Sequence, residues 1–186
     1  MTPKNAVGII ELSSISRGFE VEDAVLKSAD VEKLLARTIC SGKFLILVRG
    51  NIADVESCLQ RAESAGGYAV IQAAILPNID GKIFPALSGA TAPESDGAPG
   101  ALVLETFTAA SAIKLADIAV KQADVSILRI HVAMAIGGKG LVVLTGDVES
   151  LKSALGPVLD YMKDDGMLAG YSLISNPHPE LLRELI

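Results

Sequence analysis

The chain contains itself twice. Asp23-Ala-Val-Leu-Lys-Ser-Ala-Asp-Val31 aligns with Asp117-Ile-Ala-Val-Lys-Gln-Ala-Asp-Val125 at a shift of 94 residues, with five identities: the first Asp, the Lys and the closing Ala-Asp-Val. Further on, Gly42-Lys-Phe-Leu-Ile-Leu-Val-Arg-Gly-Asn51 aligns with Gly138-Lys-Gly-Leu-Val-Val-Leu-Thr-Gly-Asp147 at a shift of 96, so the second copy is two residues longer before its turn. Such a duplication decides most of the architecture, because both copies must bury the same apolar pattern in the same way. Residues 88–100 (Ser-Gly-Ala-Thr-Ala-Pro-Glu-Ser-Asp-Gly-Ala-Pro-Gly) form the one stretch rich in Gly, Pro, Ser and Ala without periodicity, and read as a linker. The predicted domains are residues 1–90 and 91–186.

Within each copy the elements recur in one order. Val7 to Leu12 is a short β-type run, and Val21, Ala24 and Val25 sit at helical spacing inside Phe19 to Ser28. Val31 to Ile39 and Lys43 to Arg49 read as strands of a hairpin meeting at Cys40-Ser41-Gly42. Asn51 is suited to cap a helix bearing Val55, Leu59 and Ala62, with Gly66-Gly67 as its stop. Tyr68 to Leu76 reads as a fourth strand, and Asp80 to Leu87 as a short helix. The second copy predicts a strand over 101–105, a helix near 109–122, a hairpin over 125–145, a helix from about 148, a strand over 167–174 and a helix over 178–186. The predicted class is therefore α/β (α+β), with two tandem ferredoxin-like β-α-β-β-α-β domains, two helices on one face of each sheet.

Half of the 186 residues are hydrophobic, ample for a core, while only 4% are aromatic and none is Trp. A core of small and β-branched side chains suits closely approaching sheets and tight subunit packing. The net charge is −6 and the 16 Lys and Arg are scattered. No basic stripe exists to neutralise a phosphate backbone, so nucleic acid is not an expected partner. No apolar run approaches the roughly 20 residues needed to span a bilayer, and residues 1–5 lead into the first strand without a signal-peptide core. A cytoplasmic location is expected, with Cys40 and Cys58 kept as thiols.

Chemistry is sparse. The two histidines, His131 and His178, are tied by sequence to no nucleophile, so the chain is expected not to be an enzyme. Ile136-Gly-Gly-Lys-Gly140 resembles the end of a phosphate loop, yet no Ser or Thr follows the Lys, and a strand follows where a helix is needed; it reads as a hairpin turn. Cys58, between Val55 and Leu59, reads as a buried, inert thiol. Cys40 heads a turn that aligns with Ala135, Ile136 and Gly137 of the second copy. A lone turn cysteine is more often incidental than a ligand. Two near-identical domains per chain also permit a trimer with hexagonal outline, in which three copies of Cys40 meet at the axis.

The runs GIIELSSISRGFEVEDAVLKSADV, ICSGKFLILVRGNIADVES and SNPHPEL together resemble the bacterial microcompartment shell proteins. Both halves carry the resemblance, in unpermuted order, so the chain is similar to the tandem, trimer-forming type. It is most similar to the branch from propanediol-utilisation microcompartments, whose central opening carries a [4Fe-4S] cluster. The resemblance implies a homotrimeric pseudohexamer tiling with other shell proteins, and a pore lined by Thr38, Ile39, Cys40, Ser41 and Gly42 with Ala135, Ile136, Gly137 and Gly138. It implies Cys40 as the cluster ligand, one cluster per trimer, serving electron transfer or cluster delivery to encapsulated redox enzymes. Lys27 and Lys121 match the family's edge lysines, while Asn176 stands where the family has a basic residue. An open metabolite pore is one alternative, and a soluble tandem sensor of a small metabolite is the other.

Overall fold

A computed structural model describes residues 4–89, 99–132 and 136–184. Most of the linker stretch, residues 90–98, and the turn residue Ala135 lie outside the described residues. By contact the chain forms two compact units. One comprises the described parts of Met1–Ile79 and Ala133–Gly138, and the other comprises Asp80–Val132 with Lys139–Ile186.

The first copy runs β1 (Ala6–Leu12), α1 (Ile15–Leu26), β2 (Glu32–Ile39), β3 (Lys43–Gly50), α2 (Ile52–Gly66), β4 (Val70–Pro77) and α3 (Ile83–Ser88). The second runs β5 (Gly100–Thr106), α4 (Ala109–Gln122), β6 (Ser126–His131), β7 (Gly140–Gly146), α5 (Val148–Asp165), β8 (Leu168–Ser175) and α6 (Pro179–Glu184). The sheets have the orders β2-β3-β1-β4 and β6-β7-β5-β8. Each first strand lies centrally and pairs antiparallel on both sides. That central place explains why β1, Ala-Val-Gly-Ile-Ile-Glu-Leu, is buried along its whole length. The two units are thus the β-α-β-β-α-β fold predicted from the duplication.

Local sequence accounts for the helices. The Asn51 side chain accepts from the amide of Asp54 (2.9 Å), capping α2, and Gly67 ends it at φ 53°. Val55, Cys58, Ala62 and Gly66 form its buried stripe, matched in α5 by Leu151, Ala154, Val158 and Met162. Helix α1 begins at Ile15, four residues before the sequence-based start at Phe19, because Ser14 accepts from the amide of Arg17 and Gly18 continues the helix. The glycine is a packing requirement: a Cβ at residue 18 would lie 2.3 Å from Cγ of Phe44 and 2.5 Å from its Cβ. Strand β4 begins at Val70 rather than Tyr68, since Gly67–Ala69 forms a 3-10 turn that leaves Tyr68 96% exposed. Helix α3 begins at Ile83, three residues after the sequence-based start, and the Asp80 carboxylate accepts from the amide of Lys82.

The two copies differ between their helices. In the first unit Glu20, Asp23, Ala24, Lys27 and Ser28 of the α1 segment, with Arg61 and Ala65 of α2, border a cavity of about 460 Å³. In the second unit the counterparts of Glu20 and Ala65 are Lys114 and Tyr161, and the Lys114 ammonium sits 4.2 Å from the Tyr161 ring centroid.

Two stability measurements check these packing arguments. Gly18→Ala gains helix propensity of about 1 kcal/mol, but the clash with the base of the Phe44 side chain is of the kind that costs about 1–3 kcal/mol. Denaturant unfolding should show a net loss for Gly18→Ala, whereas a gain would mean that Phe44 moves freely. The second concerns Asp147, which caps α5 and accepts from the Ser150 hydroxyl (2.6 Å) and amide (2.8 Å); these bonds hold its carboxyl below the ordinary carboxylate range. A depressed folded pKa makes the cap's contribution complete above the unfolded value, about 4, and lost as pH falls through the folded one. Asp147→Asn should therefore flatten the acid limb of stability against pH, measured by denaturant midpoints.

Candidate functional site

The turn joining β2 to β3 is tight. Its last strand pairs are Thr38 with Phe44 and Ile39 with Lys43, which leaves Cys40, Ser41 and Gly42 to reverse the chain. Ser41 (φ 65°) and Gly42 (φ 71°) are both left-handed, and the space where a Gly42 Cβ would project is open. Ser41 departs from the glycine preference there, a conformation that costs an L-residue roughly 1–2 kcal/mol. Thr38, Ser41 and Gly42 are exposed, Ile39 is buried, and Cys40 is half-buried.

The second copy's turn comes to the first unit. Gly138 (φ 82°) lies so close to the first turn that a Cβ there would be 3.2 Å from Oγ of Ser41 and 3.3 Å from the Cys40 carbonyl oxygen. A side chain there would be strained by the backbone angle and crowded by that approach, which favours glycine. Ile136 is half-buried and Gly137 exposed, the latter at φ 63°. Cys40, Ser41 and Gly138 are therefore brought together, while Thr38, Ile39, Gly42, Ile136 and Gly137 occupy the two turns around them.

Behind the turns stands an ion pair that the sequence reading passed over. Glu11, at the end of β1, is fully buried, and its Oε1 accepts from Nζ of Lys43 at 2.9 Å. The same ammonium donates to the carbonyl oxygen of Gly138 at 3.3 Å. Lys43 thus ties the core of the first sheet to both turns. The duplication held the signal: Glu105 and Lys139 occupy the matching places and pair at 2.8 Å, but each side chain there is 42% exposed. The repeated arrangement is an acid one residue before the end of the first strand and a lysine at, or just before, the start of the third, across strands paired in fixed register.

The remaining candidates lie apart from the turns. Cys58 is buried, contacts the Ser28 hydroxyl at 3.5 Å and the Val25 carbonyl at 3.6 Å, and burial pushes its thiol pKa up. Its burial is the placement predicted for it. Cys40 and Cys58 are not disulfide-bonded. Lys27 pairs with Asp23 (2.7 Å) in the open, whereas Lys121 pairs with Asp117 (2.6 Å), whose carboxylate is 5% exposed. His131 contacts Arg129, and His178 accepts from the amide of Glu180. Residues 136–140 turn directly into β7, as a hairpin and not a phosphate loop. Among the described residues no three His, Cys, Asp or Glu side chains gather as a metal site. One chain therefore offers an iron–sulfur cluster a single half-buried thiol, a suitable donor but one part of a ligand set that normally takes four thiolates.

Comparison with known proteins agrees with the fold. The BMC domain family model matches residues 6–79 and again residues 103–177. The chain belongs to that family, as a tandem-domain shell protein of bacterial microcompartments. It is 37% identical over 181 residues to the bacterial microcompartment shell protein PduT of Citrobacter freundii, covering 97% of each chain. A microcompartment protein from Desulfitobacterium hafniense superposes with a TM-score of 0.84 at 36% identity, over 96% of this chain and 98% of that one. The fused permuted hexameric shell protein MSM0275 of the RMM microcompartment, 22% identical, shares the fold with a TM-score of 0.62 over 88% and 87% of the two chains. Shell membership replaces the sensor alternative, and among the described residues no helix is long and apolar enough to cross a membrane.

The two ion pairs make a direct contrast. Lys43→Met removes the ammonium from a buried carboxylate and should cost about 3 kcal/mol. Lys139→Met breaks the exposed counterpart and should cost under about 1 kcal/mol. Denaturant unfolding of both variants checks this, and equal losses would contradict the asymmetry.

Proposed function

We propose that this shell protein assembles as a homotrimer of tandem domains, tiles into the shell facet with other shell proteins, and closes its central opening with a [4Fe-4S] cluster. In this reading the pore is bordered by Thr38, Ile39, Cys40, Ser41 and Gly42 with Ala135, Ile136, Gly137 and Gly138. The observation that carries it is the pair of apposed turns, of which the first alone bears a thiol. A threefold assembly would then present three Cys40 thiolates to one axis. They would ligate three irons and leave the fourth to an outside ligand.

The cluster would supply one-electron transfer across the shell, or serve as cargo for enclosed redox enzymes. The chain's own part is to hold the thiols: Lys43 fixes the turn from behind, and glycine at 138 lets the second turn approach. Lys27 and Lys121 are the proposed edge residues. The protein itself performs no catalysis in this reading.

Iron analysis tests it. Anaerobically purified trimer should contain one cluster per three chains and absorb broadly near about 400 nm, as thiolate-ligated clusters do. Cys40→Ser should lose the iron and the colour, and Cys58→Ser should keep both. Trimers whose iron content is unaffected by Cys40→Ser would overturn the ligand assignment, and iron-free wild-type trimers would support an open metabolite pore instead.

A further inference from the structure

The groove between α1 and α2 of the first unit opens into the cavity of about 460 Å³, a volume that suits a small organic molecule. Ala24 of α1 and Ala65 of α2 leave it room, because each side chain stops at one methyl group. At shifts of 94 and 96 the second unit has Ile118 and Tyr161 in those two places, with Lys114 in place of Glu20 and Pro157 in place of Arg61. The same fold thus forms without the two alanines, the acid or the arginine. Their combination in the first unit calls for a reason other than folding.

The charged groups around this cavity are only partly used. Glu20 accepts from Arg17 through Oε2, and Asp23 accepts from Lys27 through Oδ2 at 2.7 Å. Their other oxygens, Oε1 of Glu20 and Oδ1 of Asp23, take no partner among the described residues. The Ser28 hydroxyl already donates to the Val25 carbonyl at 2.7 Å, which leaves it lone pairs for an N–H. Arg61 is exposed, and among the described residues its five N–H donors meet neither a carboxylate nor a carbonyl. The α1 side of the cavity therefore offers acceptors, and the α2 side offers a guanidinium fork, with two methyl groups between them.

We propose that this cavity binds a small amino carboxylate as its zwitterion, with the carboxylate on Arg61 and the ammonium between Glu20 Oε1 and Asp23 Oδ1. An arginine receives a carboxylate through two parallel hydrogen bonds. An ammonium has three donors to divide between the two acids and the Ser28 hydroxyl. The short apolar body of the ligand lies over Ala24 and Ala65. Glu20, Asp23, Lys27 and Arg61 sum to no net charge, so a ligand of net charge is disfavoured. A plain carboxylate leaves both acid oxygens unanswered, and a plain amine leaves the guanidinium unanswered. No residue of the β2–β3 turn borders the cavity, so the site stands whether or not Cys40 holds a cluster.

Amide chemical-shift titrations of the isotope-labelled full chain test the site. The probes are glycine, β-alanine and γ-aminobutyrate, with butyrate and butylamine as the singly charged comparisons. At least one amino carboxylate should shift amides of α1 and α2 and bind more tightly than either comparison. Arg61→Gln should weaken that binding about tenfold, the scale of one charged hydrogen bond. Glu20→Gln, a second exposed change, should weaken it as well, and Ala65→Tyr, which copies the second unit, should block it. Lys152→Gln, whose lysine pairs with Glu149 in the second unit, should leave it unchanged. Circular dichroism confirms the fold of each variant, and the two exposed changes decide the matter if Ala65→Tyr does not fold. No binding by any of the three amino carboxylates, binding of butyrate or butylamine as tight as theirs, or binding indifferent to Arg61→Gln would overturn the proposal.

Discussion

The Glu11 carboxylate is the point on which the arrangement of turns depends. It is buried at the end of the central strand, where an ionised group without a cation would be strongly unfavourable. Lys43 answers it from the first position of β3, and the fixed pairing of Leu12 with Phe44 makes the meeting unavoidable. With its ammonium held there, Lys43 also reaches the Gly138 carbonyl. A core requirement of one sheet thereby sets the distance between two loops. Loops so anchored are suited to presenting a side chain to a neighbour in a reproducible place.

Local signals were legible where they sufficed. The Asn51 cap, the stripe of Val55, Cys58 and Ala62, and the Gly66-Gly67 stop all lie within one helix, and that helix was readable from sequence. The duplication supplied the topology, because two copies of one apolar pattern have little choice but the same sheet order. The start of α1 was not readable, since Ser14 to Gly18 looks like a loop until the Phe44 ring, distant in sequence, explains the glycine.

The turns were half legible. Cys40, Ser41 and Gly42 announced a reversal, and the second turn aligned with it. Their apposition depends on Gly138 meeting Ser41 and on a lysine shared by Glu11 and a carbonyl, contacts that span up to 97 residues. That α3 packs on the second unit is likewise a tertiary fact without a local signal. Acid and lysine at matching places in both copies were the available clue, yet their burial differs so much that sequence similarity conceals unequal roles.

The space bordered by Arg61 and Ala65, and the Lys114–Tyr161 contact in the matching place, have a consequence for how such a chain diversifies. In a ring made of six identical chains, any residue change is imposed on every sector at once. Two linked copies release half the sectors from that obligation. One copy is then free to keep a tyrosine where the other keeps an alanine, so one unit has an open space between its helices where the other sets a cation against an aromatic ring.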